Sequence, residues 1–137
     1  MRPAFLLGGV NPAGAPIRVL LVEDNDVYRE SLEFLLGRRD DIDVVGGISA
    51  GSAAASACEE LRADVVVIDY RLPDIDGAEA AESVRKRCPG AAVVFLSASA
   101  GQDERDAAHI TGWALVQKDE GIEVLVTAVC AAAKRPG

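Results

Sequence analysis

The sequence predicts an α/β domain, a doubly wound five-stranded parallel sheet with helices on both faces. Short runs rich in Val and Ile, bounded by Asp, Gly or Pro, recur at about 18–22, 43–48, 64–68, 92–96 and 113–117. Near-continuous apolar runs of this length read as strands buried on both faces. Longer segments separate them, at about 26–37, 51–62, 76–87, 101–110 and 120–133, and these read as helices. Strand–helix alternation repeated five times requires parallel strands joined by right-handed crossovers.

Taken in order, the first helix has the clearest periodicity. Val27, Ser31, Phe34 and Leu35, joined by Tyr28 and Leu32, lie at i, i+3/i+4 spacing and are expected to face the sheet. Arg29, Glu30 and Glu33 take the opposite face, and Gly37 is placed to end the helix. Pro73 and Gly77 shape the loop after the third strand, and Pro89-Gly90 ends the third helix. The fifth helix carries Ile122, Val124, Leu125, Val126, Val129 and Cys130, an apolar belt wider than one sheet-facing stripe needs. Such a surplus suits either full burial or a dimerisation and docking surface. Residues 1–16 are expected to form a flexible extension, since Gly, Pro and Asn dominate 8–16 and the short apolar stretch 4–10 is broken by paired glycines. Residues 17–133 make the domain, and 134–137 a tail or the start of a linker.

At 137 residues the chain is one ordinary domain, long enough to bury roughly two thirds of its unfolded surface. Half the residues are apolar but only 4% are aromatic, so the core must be built from Ala, Val, Leu and Ile. A net charge of -8 leaves no basic patch to grip a phosphate backbone, so direct nucleic-acid binding by this domain is not expected. Cys58, Cys88 and Cys130 are odd in number and far apart, which matches neither a disulfide framework nor a zinc site and suits a reducing, cytoplasmic setting. No run approaches the ~20 apolar residues that span a bilayer.

The chemistry sits at the strand ends. Glu23-Asp24 follows the first strand, Asp69 the third, Ser97 the fourth and Lys118 the fifth. In an open parallel sheet, ligands bind outside the carboxyl ends of the strands, where strand order reverses. For the order 2-1-3-4-5 that point lies between the first and third strands, which carry Glu23, Asp24 and Asp69. Three carboxylates at such close quarters repel unless a cation compensates them. A hard divalent ion with oxygen ligands, Mg²⁺, is therefore expected. Asp69 is placed to attack a phosphoryl group as a carboxylate nucleophile, with Lys118 and Ser97 offering a charge and a hydroxyl to its oxygens. The backbone carbonyl of Arg71 is a further candidate metal ligand, its side chain a gate. Taken singly, each residue has an ordinary use: Asp24 or Asp26 as a helix cap, Ser97 as a strand-end hydroxyl, Lys118 as a surface lysine. Their joint placement at strand ends is what points to a site.

On these residues the chain resembles the receiver domain of two-component response regulators. The matching stretches are Val19-Leu20-Leu21-Val22-Glu23-Asp24-Asn25, Val67-Ile68-Asp69 through Gly77, Val93-Val94-Phe95-Leu96-Ser97-Ala98 and Gln117-Lys118-Asp119, within about 17–133. The resemblance implies a flavodoxin-like fold, phosphorylation of Asp69 by a sensor histidine kinase or phosphotransfer protein, and catalysis limited to the domain's own phosphorylation and dephosphorylation. It also implies Mg²⁺ held by Asp24, Asp69 and the Arg71 carbonyl, with Glu23 acting through water. Output in this family uses the face of the fourth helix, fifth strand and fifth helix, which implies a possible homodimer there.

The chain departs from the family pattern at four positions. Glu23 replaces the commoner Asp, Ser97 the commoner Thr, and Asp119 stands where many members have proline. Leu115 fills the usual aromatic position, with Trp113 two residues earlier on the same strand face. A Lys-Asp pair resembles the subfamily with a helix-turn-helix output domain, which implies transcriptional regulation. Two other readings remain. An aspartate-nucleophile phosphatase needs a second aspartate at position 71, where Arg stands. A degenerate receiver would serve only as a protein-interaction module.

Overall fold

A computed structural model describes residues 15–98, 101, 105 and 113–134. The strands are β1 (Ile17–Val22), β2 (Ile42–Ile48), β3 (Val65–Asp69), β4 (Ala92–Ser97) and β5 (Ala114–Gln117). The helices are α1 (Asp26–Gly37), α2 (Ala54–Leu61), α3 (Gly77–Arg87) and α4 (Ile122–Ala133). A 3-10 turn, Gly51–Ala53, leads into α2, and another, Lys118–Glu120, follows β5. The helix expected at 101–110, the extension at 1–16 and the tail at 134–137 lie, apart from isolated positions, outside the described residues.

All strand pairs are parallel and the order is β2-β1-β3-β4-β5, as expected. The chain reverses its direction of winding between β1 and β3, so their carboxyl ends flank a crevice. β3 is buried along its whole length, which explains its unbroken Val-Val-Val-Ile run. Two cores sandwich the sheet. Val19, Leu21, Val65, Val67, Val94 and Leu96 face α1 and α4, while Leu20, Val22, Val66, Ile68, Val93 and Phe95 face α2 and α3. This alternation is the period-two geometry of a strand buried twice. Among the described residues, no helix is long and apolar enough to cross a membrane.

The expected face of α1 holds only for Leu32 and, in part, Tyr28. Val27 is 77% exposed and Phe34 64%, and Leu35 and Ser31 are exposed as well. Leu32 and Leu36 form the buried stripe, with Tyr28 and Arg29 partly covered beside it. Apolar residues cover more than half of this helix's circumference, so its periodicity does not set which stripe meets the sheet. In α4 the apolar belt is mostly consumed by packing. Leu125, Val126 and Val129 are buried, Ile122 and Cys130 pack against that core, and Val124 remains exposed.

Gly77 starts α3 against the end of β3. Its N–H donates to the Tyr70 carbonyl at 2.7 Å, and a Cβ there would lie 2.5 Å from Tyr70 Cα and 2.7 Å from the Asp69 carbonyl oxygen. Both obstacles are backbone and cannot swing aside. Gly77→Ala should therefore destabilise the domain by about 1–3 kcal/mol, read as a lower urea midpoint at unchanged m-value. A wild-type midpoint would show that the loop relaxes freely.

Candidate functional site

Because β1 and β3 are parallel neighbours, Glu23 and Asp69 emerge on the same edge of the sheet. Glu23, Asp24 and Asp69 each place one carboxylate oxygen within 4.8 Å of the others. Glu23 is only 1% exposed and Asp69 is also buried, whereas Asp24 faces solvent. Lys118 enters from the end of β5. Its Nζ lies 2.7 Å from Glu23 Oε1 and 3.0 Å from Asp69 Oδ2, and sits 4.7 Å above the Tyr28 ring centroid. Cation–π attraction and two carboxylates thus hold one ammonium.

Ser97 ends β4, the strand between those of Asp69 and Lys118, and is buried. Arg71 donates its N–H to Asp69 Oδ1 at 3.0 Å, while its side chain is exposed. The structure therefore gathers Glu23, Asp24, Asp69 and Lys118, and puts Ser97 and the Arg71 peptide next to them in the fold.

Several supporting residues carry no sequence signal as strong as the strand ends. The N-cap of α1 is Asn25, whose Oδ1 accepts the Tyr28 N–H at 2.9 Å. Neither Asp24 nor Asp26 performs that task, so the Asp24 carboxylate is available to the pocket. The Asn25 N–H in turn donates to Glu23 Oε2 at 3.0 Å. Arg29, expected on the solvent face, donates to the Glu23 carbonyl at 2.7 Å and to Asp26 Oδ1 at 2.8 Å. An Asn-Asp pair ahead of a helix, with Arg one turn later, is the pattern that hints at this arrangement. Aromatic rings line the adjoining face of the sheet. Phe95 meets Tyr70 at 5.6 Å and Trp113 at 5.9 Å between centroids, both edge-on. Trp113 and Leu115 pack on the same core, as strand parity predicts.

The electrostatics follow from burial. Desolvation raises the Glu23 pKa above its ordinary 4.5, and repulsion from Asp69 adds to it, against opposition from Lys118 and the Asn25 N–H. Burial pulls Lys118 down, yet its two carboxylates outweigh it and the net shift is upward. Glu23 Oε1 is fully buried without a well-directed hydrogen bond, its contact with Lys118 being ionic. A buried oxygen in that state, beside two more carboxylates and no nitrogen or sulfur donors in the cluster, fits a hard divalent cation such as Mg²⁺.

A carboxyl whose folded pKa exceeds its unfolded one binds its proton first in the native state. Stability then rises as pH falls through the folded value, and levels at the unfolded value. Asp41, Asp74 and Glu82 are shifted downward from 3.8, 3.8 and 4.5, so their effects fall below the Glu23 window. The metal-free protein should therefore melt at a higher temperature as pH drops toward 4.5 from neutrality, and Glu23→Gln should flatten that rise. Melting curves in chelator across this range decide it; an unaltered pH slope in the variant would remove Glu23 as the cause.

The sequence profile of the response regulator receiver domain matches residues 19–130. The chain is similar to the response regulator protein VraR of Staphylococcus saprophyticus, at 39% identity over 82 residues, covering 60% of this chain and 39% of that protein. It is also similar to the uncharacterized transcriptional regulatory protein YhcZ of Bacillus subtilis, at 29% identity over 87 residues, covering 64% of this chain and 41% of the relative. The matched part spans about two fifths of the length of these relatives. Among solved structures, a signal receiver domain named for the response regulator NarL of Mycobacterium tuberculosis superposes with a TM-score of 0.79 at 30% identity, covering 88% of this chain and 98% of that one. A LuxR-family two-component response regulator from an Aurantimonas species superposes with a TM-score of 0.80 at 28% identity, covering 87% and 86%. With the profile spanning most of the chain, and strand order and neighbours agreeing, the protein belongs to the response regulator receiver domain family.

Proposed function

We propose that this domain accepts one phosphoryl group on Asp69, in a Mg²⁺-dependent step, from the phosphohistidine of a sensor histidine kinase or phosphotransfer protein. The observation that carries this reading is the cluster of Glu23, Asp24 and Asp69 oxygens with the Lys118 ammonium shared between two of them.

An Asp69 carboxylate oxygen attacks phosphorus, the bond from phosphorus to the donor imidazole breaks, and the imidazole nitrogen leaves with its electron pair and takes up a proton. Asp24, Asp69 and the Arg71 carbonyl, with Glu23 through water, would hold a Mg²⁺ ion that supplies positive charge to the transferring oxygens. Lys118, already 3.0 Å from Asp69 Oδ2, offers a point charge to a second oxygen. Ser97, buried on the strand between, offers a hydroxyl to a third. The Arg71 N–H orients the Asp69 carboxylate. Catalysis is confined to the domain's own phosphorylation and dephosphorylation.

For output, phosphorylation biases a two-state element that Ser97 and Lys118 engage through charge-assisted hydrogen bonds. The relatives of this chain include a larger protein named as a transcriptional regulatory protein, and the similar solved structures include a LuxR-family two-component response regulator. That supports a cytoplasmic signalling role in which the domain controls an attached or separate transcriptional output, with a homodimer through β5, α4 and the helix expected at 101–110.

Acetyl phosphate with Mg²⁺ should add one phosphoryl group by intact mass, and chelator should prevent it. Asp69→Asn should abolish the gain, and Lys118→Ala should slow it on the order of 10²-fold. An unchanged wild-type mass would instead favour a receiver that works only as an interaction module. Beryllofluoride should shift the elution volume on a sizing column if phosphorylation drives dimerisation.

A further inference from the structure

The loop joining β3 to α3 carries Arg71 and makes contacts with the 3-10 turn before α2. Asp74 sits in that loop and reaches back across the surface. Its Oδ1 accepts the Gly51 N–H at 3.0 Å and its Oδ2 the Ser52 N–H at 2.8 Å. Those amides open the 3-10 turn before α2, where Ala50 has no side chain able to cap them. Asp74 is thus a capping residue supplied from another element, 23 and 22 residues away in sequence.

Apolar contacts flank the same clamp. A Cβ on Gly51 would lie 2.8 Å from Leu72 Cδ1 and 2.9 Å from Ile75 Cγ1, so the loop rests directly on the Gly51 backbone. The neck of the loop is closed by a bridge between Arg71 and Asp76, and Asp76 also caps α3 through the Glu79 N–H at 2.9 Å. The loop is therefore gripped at its neck, its flanks and its tip. Accepting the Ser52 N–H, then the Ser52 hydroxyl and the Gly51 N–H, holds the Asp74 carboxyl well below the usual carboxylate range.

We propose that Asp74 is a positioning residue for the metal site. By clamping the β3–α3 loop to the start of α2, it sets where the Arg71 peptide stands relative to Asp69. The inference rests on the reading of Asp69 and the Arg71 carbonyl as Mg²⁺ ligands. Asp74 is exposed, so its hydrogen bonds contribute modestly to global stability; the expected effect is on geometry.

The test compares the full chain with Asp74→Ala and Asp74→Asn. Mg²⁺ affinity is measured by titration calorimetry, amide exchange at Gly51 and Ser52 by NMR in chelator, and phosphorylation by acetyl phosphate across Mg²⁺ concentrations. Asp74→Ala should lose protection at both amides and weaken Mg²⁺ binding by about tenfold. Half-maximal phosphorylation should need correspondingly more Mg²⁺, with the rate at saturating Mg²⁺ unchanged. Asp74→Asn, which keeps one acceptor oxygen, should recover part of both. Lost protection with unchanged Mg²⁺ affinity would overturn the proposal, as would protection that survives in Asp74→Ala. Wild-type protein that binds no Mg²⁺ would overturn the functional reading and this role with it, a result recognisable because it precedes any substitution.

Discussion

One ammonium between two buried carboxylates is the contact on which this pocket turns. Glu23 and Asp69 are brought together by adjacent parallel strands, and neither can retreat, because each follows directly from a buried strand. Their repulsion has to be answered locally. Lys118 answers it, at 2.7 Å from one and 3.0 Å from the other, with the Tyr28 ring beneath it. The same crowding of carboxylates suits the pocket to a divalent cation.

The pocket is assembled from parts of different rigidity. β1, β3 and β4 carry Glu23, Asp69 and Ser97 on strands whose side chains are almost entirely buried, so their positions follow from the core. Lys118 and Arg71 stand on connecting segments and depend on tethers. For Lys118 the tethers are the carboxylates themselves. For Arg71 they are the Asp69 carboxylate and the Asp76 bridge, with Asp74 of the same loop bound to the 3-10 turn before α2. α1 adds a further brace, since Asn25 and Arg29 bind the Glu23 carboxylate and carbonyl. The acidic pair after β1 is therefore held from the helix side as well as by the sheet.

The routes out of the pocket differ in character. On one face, Tyr70, Phe95 and Trp113 stand edge to face in a row that begins beside Asp69 and ends at the start of β5. On the other face, α1 leaves Val27, Phe34 and Leu35 exposed, with Arg38 placed 5.7 Å over the Phe34 ring.

The fold class and the position of the candidate site residues at strand ends were legible in the sequence because each rests on local signals, and the strand order followed from the family resemblance those signals carry. A Val-rich run reports a strand buried twice, and a polar residue at its carboxyl end reports an address on one edge of the sheet. Only the tertiary structure decided the orientation of α1. Val27, Tyr28, Leu32, Phe34, Leu35 and Leu36 spread over more than half of that helix, and the stripe that meets the sheet depends on how the helix packs across β1. Packing likewise assigned the cap to Asn25, set Tyr28 beneath Lys118 and turned Arg29 inward. It also joined Asp74 to Gly51 and Ser52, a contact between residues more than twenty apart whose pairing no periodicity encodes. Local pattern determined what each strand end offers; long-range packing decided which groups hold those offerings in place.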